Sequence, residues 1–150
     1  MTHHQLIGRH VSEFLPLLGP SLAVPDRPPE GDPEYGLDRH IECPDRGLAV
    51  MINASDVCCC VQFFGTGKDP SYREYAGALP DGVSFANSRD AARTIMGPLV
   101  RSSDGGAAVH GIEHRPWDLF TRDGLRVHLE YAEGCRRILM VSVMLPPLEG

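Results

Sequence analysis

The stretch LRVHLEY, residues 125–131, alternates apolar and polar side chains along its whole length. Successive side chains of a strand point to opposite faces, so this pattern predicts a strand with one buried and one solvated face. Turn-forming triplets flank it at residues 122–124 and 132–134. Together these signals predict three consecutive strands, over residues 117–121, 125–131 and 137–145.

A helix is predicted immediately upstream of these strands. Ser88 is a favourable N-cap for residues 89–96, and Gly97-Pro98 ends the helix. The N-terminal half shows the same order of signals. A helical periodicity over residues 5–18 ends at Gly19-Pro20, a proline-rich acidic loop covers 21–36, and strands are predicted at 37–43, 48–53 and 57–64.

The two halves are similar enough to predict an internal repeat. Residues 18–20 correspond to 96–98 at an offset of 78, and residues 46–48 correspond to 123–125 at an offset of 77. Because Gly-Pro and x-Gly-Leu are common, chance agreement is the alternative. The predicted fold class is α+β, with two tandem helix-βββ repeats forming an antiparallel sheet and the helices packed on one face. The predicted units, within one compact body, are 1–78 and 79–150.

One face of such a sheet stays open to solvent. The alternation places Met51, Gln62, Phe64, Arg126, His128 and Glu130 on it. It also predicts that Cys58 and Cys60 face outward, and that Cys59 faces inward. A surface that mixes aromatic, methionine and charged residues is typical of protein-binding patches. An ordinary solvated sheet face is the alternative interpretation.

Five cysteines and an N-terminal stretch without an export-signal pattern predict reduced thiols in the cytoplasm. Three consecutive cysteines in a strand do not converge on one metal ion, and the sequence contains no His-Glu-x-x-His motif. His110 and His114 have zinc-like spacing only on a helix, which the surrounding glycines disfavour. We therefore expect no metal and no cofactor.

The charge distribution limits the partners that the sequence predicts. The net charge of −6 argues against nucleic-acid binding, and no apolar run is long enough for a membrane span. Residues 13–56 contain nine acidic residues and three arginines, a difference that equals the whole net charge. An acidic surface can steer the chain onto a basic partner, although solubility alone would also explain it. The acidic residues predicted to contact such a partner are Glu30, Asp32, Glu34, Asp38 and Glu42.

Catalytic motifs are weak. The serines lack a Gly-x-Ser-x-Gly setting, and the segment 65–68 lacks the first glycine and the final Ser/Thr of a phosphate-binding loop. The protein is therefore predicted not to be an enzyme. The alternative is a ligand-binding or enzymatic domain that uses His128 and Glu130 on the open sheet face.

A run of motifs carries a family resemblance over residues 36–146. It consists of LPDGVSF at 79–85, the helix that Ser88 begins and Gly97-Pro98 ends, the Trp117-Asp118 strand and LRVHLEY at 125–131. This run resembles bacterial immunity-like proteins encoded beside polymorphic or type VI secreted toxins. The duplicated unit resembles β-lactamase inhibitor protein, and each half resembles the small lipoproteins of outer-membrane assembly.

Two departures limit what this resemblance implies. The chain has no lipoprotein cysteine near its start, and no residues match the contact residues of the lactamase inhibitor. The resemblance implies a non-catalytic immunity protein that occludes a cognate toxin, with a basic, nuclease-like toxin as one version. An adaptor domain without any toxin is a further alternative.

Overall fold

The computed structural model describes residues 3–18, 30–32, 36–109 and 112–146, of which 30–32, 36–38, 107–109 and 112–113 are described by their backbone only. This part of the chain contains two α-helices and ten strands. They are α1 (Val11–Leu18), α2 (Arg89–Met96), β1 (Glu30–Asp32), β2 (Gly36–Cys43), β3 (Leu48–Asn53), β4 (Cys58–Phe64), β5 (Arg101–Ser103), β6 (Gly106–Val109), β7 (Ile112–His114), β8 (Trp117–Arg122), β9 (Leu125–Tyr131) and β10 (Ile138–Met144).

Eight of these strands form one antiparallel sheet in the order β1-β2-β3-β4-β10-β9-β8-β5, and β6 pairs with β7 separately. The predicted α+β class and antiparallel sheet are confirmed. Strands β2–β4 lie together on one side of the sheet and strands β8–β10 on the other, and the two sets meet at the central pair of β4 and β10. This order does not establish that the halves are equivalent, so the tandem repeat stays a prediction.

Both helices pack on the same face of the sheet. Phe14 and Leu18 of α1 and Ala92 and Met96 of α2 belong to a single buried cluster with the sheet residues beneath them. The predicted alternation holds in β3 and β9, whose inward residues join this cluster. These are Leu48, Val50, Ile52, Val127, Leu129 and Tyr131, with Leu125 partly buried against them.

The alternation fails at the three cysteines. Ile52 pairs with Cys58 while its neighbour Met51 pairs with Cys60, so β4 contains a β-bulge at Cys59. A bulge inserts one extra residue into a strand, so the residues before it point to the opposite face of the sheet from the one that strict alternation predicts. Cys58 therefore joins the core, and Cys60 faces the other way with Met51. The prediction that Cys58 and Cys60 share the outward face is wrong.

The first predicted helix is shorter than its periodicity suggests. Residues His3–Leu6 form a 3-10 turn, and α1 begins only at Val11. Gly8 lies between them with a φ of 85°, and His10 forms a bridge to Val57. The predicted stop at Gly19-Pro20 lies outside the described residues.

The second predicted helix is confirmed at both ends. The Ser88 hydroxyl accepts a hydrogen bond from the Ala91 amide, and Gly97 follows the last helical residue. The glycine-rich segment after α2 contains β5 and β6. The strand β1 likewise occupies residues 30–32 of the segment predicted as a loop over 21–36.

Candidate functional site: the open sheet face

The face of the sheet opposite the helices is the candidate site, and we call it the open face. Strand register orders its side chains into three rows across the sheet. The middle row is Glu42, Ala49, Gln62, Ser142, His128, Leu119 and Arg101. The first flanking row is His40, Met51, Cys60, Met144, Arg126 and Thr121. The second flanking row is Phe64, Met140, Glu130, Trp117 and Ser103. The six predicted residues Met51, Gln62, Phe64, Arg126, His128 and Glu130 thus lie on one surface.

Three methionines give the open face an apolar centre. Met51 and Met144 both pair with Cys60, one from each neighbouring strand, and Met140 lies between Phe64 and Glu130. All three methionines are partly exposed. Methionine side chains are flexible and polarisable, and they adapt to the shape of a bound surface.

His128 and Glu130 lie in one strand, but their contacts differ. The rings of His128 and Trp117 have centroids 5.2 Å apart. Both Glu130 carboxylate oxygens accept hydrogen bonds from the Lys68 ammonium, at 2.9 and 2.8 Å, and Arg115 lies 3.8 Å away. The Glu130 side chain is only 13% exposed. Its charge is therefore fully compensated by two cations.

The segment after β4 returns across one end of the open face. Tyr72 stacks on Phe64 with ring centroids 3.9 Å apart, which explains why Phe64 is buried although it faces away from the core. Burial raises the pKa of Tyr72, and so does the neighbouring Glu42 carboxylate, to which the phenol is hydrogen-bonded. Glu42 is thus tied to this segment.

The remaining acidic residues of the predicted contact surface lie at the far edge of the sheet. Glu30 and Asp32 lie on β1, and Asp38 lies on β2, where it pairs with Asn53. Glu34 lies outside the described residues. Three strands, β3, β4 and β10, separate β1 and β2 from the open-face residues of β9.

Sequence reasoning missed the positive charge at the opposite end of the open face. Lys68 and Arg115 lie against the Glu130 carboxylate, while Arg101 lies in the middle row and Arg126 in the opposite flanking row of the same face. We call these four residues the basic end. Within the described residues, neither Arg101 nor Arg126 forms an ion pair. Of these four cations, the alternation predicted only Arg126. The pairing of β5 with β8 places Arg101 on the face, and the contacts of Lys68 and Arg115 with Glu130 place the other two, so no local signal indicated those three.

Two histidines give the protein a predicted dependence on pH. Burial lowers the pKa of His128 below 6.5, with Glu130 opposing and Lys68 reinforcing the effect. Burial and the Arg46 charge likewise lower the pKa of His3, whose ring is hydrogen-bonded to Tyr75. The unfolded chain therefore takes up these protons first as the pH falls through 6.5, and folding stability declines below that pH.

We expect the urea midpoint of unfolding to be lower at about pH 5.5 than at about pH 7.5. In a His128→Gln variant this difference should shrink, because one of the two histidines with a lowered pKa is gone. The exposed His114 serves as a control, and His114→Gln should keep the full difference. An unchanged pH dependence in His128→Gln would contradict the prediction.

The described residues contain no group of three or more His, Cys, Asp or Glu side chains arranged to hold a metal ion. None of the five cysteines, all of which are described, forms a disulfide. Burial raises the pKa of Cys58 to about 12, so this thiol is protonated at neutral pH. Neither described helix is long and apolar enough to cross a membrane.

Comparison with known proteins identifies the fold alone. No protein-family model and no curated protein matches the chain. A cysteine-rich secretory protein from Staphylococcus aureus subsp. aureus Mu50 is similar in structure, with a TM-score of 0.52, 9% identity and 94% of this chain covered. An extracellular protein containing a SCP domain from Bacillus anthracis str. Ames gives a TM-score of 0.55, 12% identity and 97% coverage.

The chain spans less than half of each of those proteins, 45% and 46% of their lengths. These similarities overturn the resemblance inferred from the motif run. The structural neighbours are secretory and SCP-domain proteins, not immunity proteins of type VI toxin systems or relatives of β-lactamase inhibitor protein. The motif run consists of turns, caps and alternation, which many antiparallel α+β folds share. The similar proteins also give no support to the predicted cytoplasmic location.

Proposed function

We propose that this protein is a non-catalytic binding module, and that its open face binds a protein segment rich in acidic and aromatic or aliphatic residues. The observation that carries the proposal is the joint presence, on one face, of an apolar centre and the basic end. Neither described helix covers this face, since α1 and α2 both pack against the opposite one.

The apolar centre supplies the contact area. Met51, Met140, Met144 and Trp117 are all partly exposed and lie in the two flanking rows of the open face. Tryptophan and methionine are enriched at protein interfaces, and a few such residues contribute most of the binding free energy. A partner with apolar side chains would remove this area from water.

The basic end supplies orientation and a charge preference. Lys68 and Arg115 already compensate Glu130, so Arg101 and Arg126 are available to a partner's carboxylates. This local charge is opposite in sign to the net charge of −6. Complementary charge at the rim of an interface chiefly accelerates association and selects the partner. The preferred partner is therefore acidic, whereas the charge of residues 13–56 alone suggested a basic one.

The ligand-binding or enzymatic alternative at His128 and Glu130 has less support. A general acid or base must be within hydrogen-bonding reach of a substrate, but both Glu130 carboxylate oxygens already accept hydrogen bonds from Lys68, and the side chain is only 13% exposed. His128 lies against Trp117 on the sheet surface. A cleft of ligand size in this structure is lined by other residues, at the end of the sheet where β4 ends and β10 begins.

Peptide display with the intact protein as bait tests the proposal. We expect the selected peptides to be enriched in Asp or Glu together with aromatic or aliphatic residues. An Arg101→Glu/Arg126→Glu variant should bind them at least about tenfold more weakly, and so should Met144→Glu. The double variant Arg9→Glu/Arg136→Glu makes the same charge change at exposed positions outside the open face and should bind normally.

Three outcomes would overturn this function. They are a selection without enrichment, a selection that enriches basic peptides, and equal loss of binding in the two double variants. Raising the salt concentration should weaken binding to the wild type more than binding to Arg101→Glu/Arg126→Glu, because the rim charges are screened. The absence of any salt effect would also count against the proposed role of the basic end.

We also propose that the sheet arose from a duplicated helix-βββ unit. In support, α1 precedes β2–β4 and α2 precedes β8–β10, and the last strands of the two halves are neighbours. Superposing residues 36–64 with α1 on residues 117–144 with α2 tests this idea. Coincident strand directions and helix axes are expected, and a helix that crosses the two sets of strands differently would reject duplication.

A further inference from the structure

A cleft of about 680 Å³ lies at the end of the sheet where β4 ends and β10 begins, and none of its lining residues belongs to the rows of the open face. It is built from the chain between β4 and α2, together with Arg137 just before β10. Two contacts hold it to the sheet end: the Gly65 amide donates to the Leu139 carbonyl at 2.7 Å, and the Ile138 amide donates to the Phe85 carbonyl at 2.9 Å. Its volume is typical of small-ligand sites.

The floor of the cleft is apolar and fixed. Tyr75 and Val83 are buried members of the core cluster, and Phe85 packs against it. The Tyr75 ring lies edge-on to Phe63 with centroids 4.7 Å apart, and its hydroxyl is hydrogen-bonded to His3 at 2.7 Å. Because these side chains are anchored in the core, the cleft is formed before any ligand arrives.

Two opposite charges line the cleft without pairing with each other. The Arg137 guanidinium donates to the Thr66 carbonyl at 2.6 Å, and the Thr66 hydroxyl donates to the Glu74 carboxylate at 3.3 Å. Within the described residues, neither Arg137 nor Glu74 forms an ion pair. Thr66 therefore orients both groups, and a carboxylate and an ammonium of a ligand can each find a partner.

The third feature is a set of unused backbone donors. Ala76, Gly77 and Ala78 line the cleft, and their amides donate no hydrogen bond to any described residue. An extended peptide can pair with such a segment through its own backbone. A fatty acid or a simple organic anion would leave the Glu74 carboxylate without a partner.

We propose that this cleft binds a short zwitterionic peptide with apolar side chains. Arg137 binds its terminal carboxylate, Glu74 binds its terminal ammonium, and the amides of 76–78 pair with its backbone. The apolar side chains contact Tyr75 and Phe85. This site is independent of the open face and of the function proposed for it.

The probe is the tripeptide alanyl-phenylalanyl-alanine with free termini, compared with its N-acetylated form and its C-terminal amide. Binding is followed by amide NMR shifts on the full chain. We expect shifts at Thr66, Gly67 and Gly77, and about tenfold weaker binding for each blocked peptide, since each loses one charged hydrogen bond. Failure of the free tripeptide to bind, or equal binding of all three peptides, would overturn the proposal.

Two variants test which residue binds the carboxylate end of the peptide and which binds its ammonium end. Arg137→Gln should bind the free peptide and the amide equally, while Glu74→Gln should bind the free and acetylated peptides equally. Arg136→Gln, a change at the exposed neighbouring arginine that does not line the cleft, should keep every preference. A preserved urea midpoint shows that each variant is folded. If Arg137→Gln still prefers the free carboxylate, the assignment of that end is wrong.

Discussion

An Asp118→Ala variant is expected to lose about 3–5 kcal/mol of folding stability, which is typical when one partner of a buried charge network is removed. Asp118 is fully buried beneath α2. Its carboxylate accepts hydrogen bonds from Arg89 at 3.0 and 3.2 Å, from Arg93 at 2.8 and 2.9 Å, and from the Tyr131 hydroxyl at 2.8 Å. No apolar residue can replace these contacts one for one.

The expected loss of stability is large because the Asp118→Ala substitution would leave buried polar groups without a partner. The Arg89 side chain is 11% exposed and lies over the Tyr131 ring, with 5.5 Å between the guanidinium carbon and the ring centroid. Without Asp118, a largely buried cation loses its main counter-charge and a buried hydroxyl loses its acceptor. Each such loss carries a desolvation penalty that water cannot relieve in the interior.

The network also ties α2 to the sheet. Arg89 donates to the carbonyls of Ser103 at 2.8 Å and Trp117 at 3.2 Å, so it joins the start of α2 to β5 and β8. Hydrogen exchange of the α2 amides should therefore accelerate in Asp118→Ala more than exchange in β3. This comparison separates a local role for the network from a general loss of stability.

Asp104 provides the matched control, because it is the other carboxylate that pairs with Arg89. Its side chain is 92% exposed, and the pair distance is 2.8 Å. Exposed pairs of this kind contribute about 0–1 kcal/mol, so Asp104→Ala should be nearly neutral in urea unfolding. Equal destabilisation by the two variants would show that burial of Asp118 is not what makes its network important.

The same carboxylate predicts sensitivity to acid. Burial alone would raise the pKa of Asp118, but the hydrogen bonds from Arg93, Arg89 and Tyr131 outweigh it and hold the pKa below 3.8. Because the folded pKa is the lower one, this contribution to stability is complete above pH 3.8. It is lost as the pH falls from there through the folded value.

A Gly47→Ala variant is expected to be destabilised by about 2–5 kcal/mol, the sum of backbone strain and steric overlap. Gly47 has a φ of 71°, which only glycine adopts without strain. A Cβ added there would overlap the Arg73 carbonyl oxygen and lie 2.5 Å from the Tyr75 amide nitrogen. Both atoms belong to the backbone, so no rotation of a side chain relieves the contact.

The consequence reaches the cleft, because residues 73–75 are held against this turn. The Arg73 amide donates to the Pro44 carbonyl and the Tyr75 amide to the Phe64 carbonyl, both at 2.9 Å. Displacing this segment would move Tyr75, which forms the floor of the cleft. Gly47→Ala should therefore weaken binding of the free tripeptide beyond its effect on stability.

A Gly124→Ala variant measures the cost of backbone strain without the steric overlap expected at Gly47. Its φ is 79°, and a Cβ built on it would meet no atom within 4 Å. Gly124→Ala should cost only about 1–2 kcal/mol, from the left-handed backbone alone. Urea unfolding of both variants measures the difference, and equal losses would show that the close approach at Gly47 relaxes without penalty.

Local signals in the sequence were sufficient to predict those helices and strands whose stabilising contacts are between residues close together in the chain. The helix α2 follows from the Ser88 cap and the Gly97 end, which lie within ten residues of each other. The strands β3 and β9 follow from alternation, and they supply four of the six residues predicted for the open face: Met51, Arg126, His128 and Glu130.

Only the tertiary structure decided what surrounds those residues. The bulge at Cys59 depends on how β4 pairs with β3, and the basic end depends on contacts such as Lys68 with Glu130, 62 residues apart. The cleft likewise joins residues 66–86 to Arg137. The periodicity of a segment indicates which of its side chains are buried and which are exposed. It does not indicate which strands pair, because strand pairing depends on the packing free energy of the whole core. The sequence by itself therefore determined the sheet and its two faces, and the assembled sheet determined the charge and the cavities that a partner or ligand would meet.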